Sequence, residues 1–128
     1  MEEQNIMAIF VESYKQTAAF RPEKFNPVVI ALNERVKVIE ACFEPGQFIP
    51  VHQPGVDLTL LVLEGEGTLV ADGHEHRIVP GTLAFIPAGE TRGIKAETRL
   101  ILMHVVTPPP SDADHTQVMA GLAKGEWK

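Results

Sequence analysis

Glycine and proline interrupt this chain so often that its middle has no room for a long helix. Turn signals recur at Asn26-Pro27, Glu44-Pro45-Gly46, Pro54-Gly55, Gly65-Glu66-Gly67, Asp72-Gly73, Pro80-Gly81 and Pro87-Ala88-Gly89. The runs between them are short and β-rich: Val28–Leu32, Val36–Phe43, Leu58–Leu63, Thr68–Ala71, Leu83–Ile86 and Leu100–Val106. Many short strands punctuated by Gly and Pro imply an all-β sandwich or barrel, because parallel crossovers need intervals long enough for helices. Asp72-Gly73 is the strongest hairpin signal, since a two-residue type I′ turn needs positive φ at both central residues. Closing such a sheet into a barrel removes its long unpaired edges.

Within this punctuation two glycine-anchored motifs stand out. The first is Gly46, five residues, His52, one, Pro54, three, Leu58, six, Gly65. The second is Gly81, five residues, Pro87, one, Gly89, two, Arg92, with fifteen residues separating Gly65 from Gly81. The spacing resembles that of the cupin superfamily, whose first motif carries two His and a Glu and whose second carries a third His. The resemblance covers Phe43 to Ile94 and extends by strand pattern to Val106. It implies a double-stranded β-helix, a jelly-roll-like barrel of the RmlC type, with a site at its centre and commonly a homodimer.

Cupins hold metals at positions that read here His52, Pro54, Leu58 and Arg92. A metal needs three or four converging N, O or S donors, so we expect no metal and no cofactor. If those positions face inward, strand alternation places Phe48, His52, Leu58, Leu60, Val62, Arg92 and Ile94 on the barrel wall. That wall describes an apolar pocket with one imidazole and one guanidinium, suited to a small organic ligand. Two readings stay open for Arg92: it awaits an anionic ligand, or it swings outward or pairs with an acid such as Asp57. His52 is either a satisfied core histidine or a base or ligand-orienting donor. His104, within Leu100–Val106, can point inward beside it. His74 and His76 follow the Asp72-Gly73 turn and read as polar hairpin residues, and His115 as a surface residue.

A chain of 128 residues with 45% apolar and 22% charged residues reads as one globular unit. Its net charge of −6, with no basic cluster, argues against a nucleic-acid partner. The single Cys42 fits a reducing compartment, and the acidic start Met1-Glu-Glu-Gln leads us to expect no export signal, hence a cytoplasmic protein. No apolar run reaches the ~20 residues that span a bilayer, so no membrane partner is expected.

The sequence divides into an N-terminal arm (1–26), a barrel (27–107) and a C-terminal Pro-rich segment with a helix (108–128). In the arm, Ile6–Val11 is expected as a strand, with Ser13 capping a helical turn through Ala19; an amphipathic helix is the alternative. In the last segment Ser111 offers an N-cap, Gly125 a stop, and Val118, Met119 and Leu122 an apolar stripe. This helix is expected to pack as an arm over a sheet face or a neighbouring subunit. The function expected is a metal-free pocket binding a small molecule, an organic anion among the options, through His52, Arg92, His104, Phe48, Leu58 and Leu60. The alternatives are a metal-independent epimerase or isomerase using His52 with His104 or Asp57, or a dioxygenase-like metal enzyme with unusual ligands.

Overall fold

The computed structural model describes residues 7–128. A one-turn helix, α1 (Tyr14–Thr17), is followed by nine strands and a closing helix. The strands are β1 (Asn26–Leu32), β2 (Lys37–Phe43), β3 (Phe48–His52), β4 (Asp57–Glu64), β5 (Gly67–Ala71), β6 (His74–Ile78), β7 (Leu83–Ile86), β8 (Arg92–Ala96) and β9 (Leu100–Thr107); α2 spans Asp112–Lys124. They form two antiparallel sheets, ordered β1-β2-β9-β4-β7 and β3-β8-β5-β6, whose inner faces enclose the core. The double-stranded β-helix expected from the motifs is present.

Local chemistry explains the turns. Asp72 and Gly73 both take positive φ, 58° and 73°, and close the β5–β6 hairpin as a two-residue loop. Gly65 has φ +88°, and a Cβ there would lie 1.8 Å from the Arg99 carbonyl oxygen, so the chain crossing at that point admits only glycine. Ser111 caps α2 in a capping box with Asp114, and Gly125, left-handed at φ 70°, ends it as expected.

Two expectations fail. No strand forms over residues 7–11, and Ile6 lies outside the described residues; the stretch finds no ladder partner, and Met7 and Phe10 are 77% and 85% exposed. Ser13 does cap a helical turn, but that turn ends at Thr17. The second failure is in β3. Ile49 pairs with Ile94 and His52 with Arg92, so two residues of β3, Pro50 and Val51, answer one of β8, Gly93. This bulge, at a strand that contains Pro50, breaks the alternation on which the inward wall was counted.

The bulge is itself secured. Val51 N–H donates to the Trp127 carbonyl oxygen at 2.8 Å, so the C-terminal residues strap the strand from outside. Opposite it, a Cβ on Gly93 would meet Val51 at 2.6 Å, so the close approach depends on glycine there.

The barrel has two unlike ends. At its base Phe43, Leu100 and Leu102 are fully buried, and Phe25 stacks on Phe43 with ring centroids 5.5 Å apart. At the other end, between β1 and β3, the sheets part and α2 covers the gap. Val118 and Leu122 pack against the core, and Gly121 sits against Pro50.

Candidate functional site

The parted end holds a cavity of about 240 Å³. Its walls are mainly apolar: Ile39, Ala41, Ile49, Leu58, Ile94 and Val106 from the strands, Val56 from the bend before β4, and Val118, Met119 and Leu122 from α2. His52, Arg92 and His104 all line it. Leu58 lines it as well. Leu60 faces inward, fully buried, but lies in the packed core below the cavity. Phe48 is a correction: it pairs with exposed Lys95 and faces away, and the bulge puts Ile49 in its place.

Arg92 decides the electrostatics. It enters from β8 and is only 4% exposed. Its Nη2 donates to the Pro87 carbonyl at 2.8 Å and to the Glu90 carbonyl at 3.3 Å, and Nε donates to Glu90 at 3.4 Å. Nη1 is buried with no partner among the described residues. Asp57, one candidate counter-ion, instead accepts the Ala88 N–H at 2.8 Å and makes no ion pair with Arg92. Burial pulls the guanidinium below its ordinary range, opposed by the charges of Asp57, Glu90 and Asp114. An arginine remains protonated under such shifts, so a positive charge stands at the cavity wall.

The two imidazoles differ. His52 Nδ1 lies 2.8 Å from the Pro50 carbonyl oxygen; a carbonyl only accepts, so Nδ1 carries the proton and Nε2 of the neutral ring keeps its lone pair. Burial lowers the affinity of His52 for a second proton, the Pro50 carbonyl opposes this, and the Arg92 charge adds to the lowering. His104 is 6% exposed and its Nε2 is buried with no partner among the described residues. Burial, then the charge on Arg92 and the proximity of His52, push it down to about 4, so it is neutral at physiological pH.

Sequence reasoning missed four contributors. Asp114, which reads in the sequence only as a first-turn acid, lines the cavity from α2. Its carboxylate accepts from Gly55 N at 3.3 Å and Ser111 N at 3.1 Å. Burial raises its pKa, and these N–H bonds outweigh burial and leave it low. Lys24 and Lys37 also line the cavity, and His115, expected at the surface, reaches it from an exposed position. No spacing rule connects these residues to the motifs; only the docking of α2 and the β1–β2 pairing bring them in.

A metal does not fit. Of the four positions used by metal-holding cupins only His52 has a donor, and among the described residues no three His, Cys, Asp or Glu side chains converge to hold an ion. Among them, too, no helix is long and apolar enough to cross a membrane.

Residues 39–106 match the family model described as Cupin domain. This chain belongs to the cupin family. It is similar to TT1209 from Thermus thermophilus, with 31% identity, 77% of this chain and 96% of that one covered, and a TM-score of 0.72. The polyketide cyclase RemF from Streptomyces resistomycificus is 26% identical, with 61% and 58% covered and a TM-score of 0.55. Vicilin C72 from Gossypium hirsutum is 34% identical over 71 residues, 52% of this cupin, which spans only 12% of the vicilin's length.

Proposed function

We propose that this cupin binds a small organic anion, its charged group at Arg92 and its apolar part against α2. One observation carries the reading: Arg92 is buried beside a cavity and, among the described residues, has no carboxylate partner and no acceptor for Nη1. An isolated buried charge is costly, and an anion with planar oxygens is the natural complement of a guanidinium. The charge distribution supports it. The whole chain carries −6, yet Lys24, Lys37 and Arg92 stand against Asp114 alone among the permanently charged residues lining the cavity. His52, His104 and Leu58 would contact the ligand beside Arg92. Small monocarboxylates should raise the melting temperature of the wild type, and their amides, equal in size but neutral, should not. Equal shifts from acid and amide, or none from either, would remove the reading.

A second reading rests on the fixed Nδ1–H of His52, which presents Nε2 as a base. That suits proton abstraction by a metal-independent isomerase, with the neutral His104 as the other polar group. Asp57, held by Ala88 N–H outside the cavity wall, is a poor second acid.

The same reading includes a reducing, cytoplasmic setting for the free Cys42, buried beneath the N-terminal arm, and a homodimer. The outer face of the five-stranded sheet carries Leu83 and Phe85, 72% and 61% exposed, beside Leu61, Met103 and Val105. Light scattering at micromolar concentration should give twice the 14.1 kDa chain mass.

A further inference from the structure

We propose that the cavity reads two oxygen groups on one ligand, a carboxylate at Arg92 and a hydroxyl at His104, and so selects short hydroxycarboxylic acids. This rests on the anion reading above and narrows it. Two side chains at the cavity wall have buried polar atoms without partners, Arg92 Nη1 and His104 Nε2. They lie at different depths. His104 is level with Leu60 and Ala84 across the sheet, whereas Val106, two residues nearer the mouth, is level with Leu58 and Ile86. The Arg92 head is tied one residue further out, at Pro87.

One ligand that carries a carboxylate and, on its second or third carbon, a hydroxyl would offer an oxygen to each of these two atoms.

The chemistry of His104 points the same way. A neutral imidazole has one donor and one acceptor nitrogen, and no hydrogen bond of this chain fixes which is which among the described residues. A hydroxyl answers either tautomer, because it donates and accepts; a carboxylate answers only the N–H. A buried polar group that a ligand fails to meet is the strongest source of discrimination a site has. The remainder of the ligand would lie on Ile39, Val106, Val118 and Leu122, which favours a branched aliphatic tail.

The test is calorimetric titration of the wild type with 3-methylbutanoate, 2-hydroxy-3-methylbutanoate and 3-hydroxy-3-methylbutanoate. One of the hydroxy acids should bind at least roughly tenfold tighter than the plain acid. His104→Leu should lose the preference and bind plain and hydroxy acids alike, and His104→Gln, which can still donate and accept, should keep part of it. Equal binding of plain and hydroxy acids by the wild type would overturn the proposal and leave the anion site standing. A preference that survives His104→Leu would overturn it too. Should no acid bind the wild type, the anion site falls, and this inference with it.

Discussion

Two arginines at opposite ends of the barrel are held in opposite ways. At the base Arg99 forks onto Glu44, Nε to Oε1 at 2.9 Å and Nη2 to Oε2 at 3.0 Å, and lies over the Phe20 ring at 4.1 Å. The hydrogen bonds to Glu44 raise its pKa. At the mouth Arg92 is far more buried, touches only carbonyl oxygens, and is pulled down by burial. The more expensive site has the poorer partners, the reverse of what stability alone would select. The base is finished by its own chain; at the mouth we propose that a ligand completes the partners of Arg92.

The largest expected contrast sets a base substitution against a mouth substitution. Gly65→Ala would drive a Cβ into the Arg99 carbonyl at a φ of +88°, and should cost on the order of 4 kcal/mol or more. Phe43→Ala, fully buried, should cost roughly 3–5 kcal/mol. Arg92→Leu should instead leave the melting temperature unchanged or raise it, by up to roughly 2 kcal/mol of stability, because it removes an unpaired buried charge. A large loss for Arg92→Leu would erase the distinction between the ends.

Acid comes next. His104 falls from an ordinary 6.5 to about 4 on folding. The unfolded chain therefore takes up a proton between those values that the folded chain refuses. The stability is intact above about pH 6.5 and falls as pH drops towards 4, by roughly 3 kcal/mol in all. His52, lowered in the same direction, adds to the upper part of this window. Chemical denaturation at pH 7 and pH 4.5 should show the drop, and His104→Leu should flatten it. The smallest effect belongs to Glu44→Gln, whose partner Arg99 is 59% exposed: a slight fall in melting temperature, weaker in high salt, with carboxylate binding untouched.

The turns and most of the strands were legible because their determinants are local. Asp72-Gly73, Gly65 and Gly125 each demand a backbone that few residues adopt, and alternation along Leu58–Val62 follows from the pleat. The mouth was legible only in part. His52, Arg92 and His104 follow from spacing and parity, but Phe48 was misplaced because one extra residue in β3 reverses the alternation beyond it. Pro50 was the available signal, since a proline inside a strand favours a bulge. Asp114 and Lys37 could not be found, because their approach depends on how α2 and β1–β2 dock, a long-range result that no short motif encodes. The segment 7–11 has the pattern of a strand but no neighbour to pair with.

The central claim is that Arg92 is a charge left open for a carboxylate, and side-chain NMR of arginine-¹⁵N-labelled protein tests it against Arg99 in one sample. Titration with a short-chain carboxylic acid should shift the Arg92 guanidinium signals saturably, while those of Arg99 stay in place and the effect is absent with the corresponding amide. Arg92 signals that do not move, or that move no more than those of Arg99, would contradict the account.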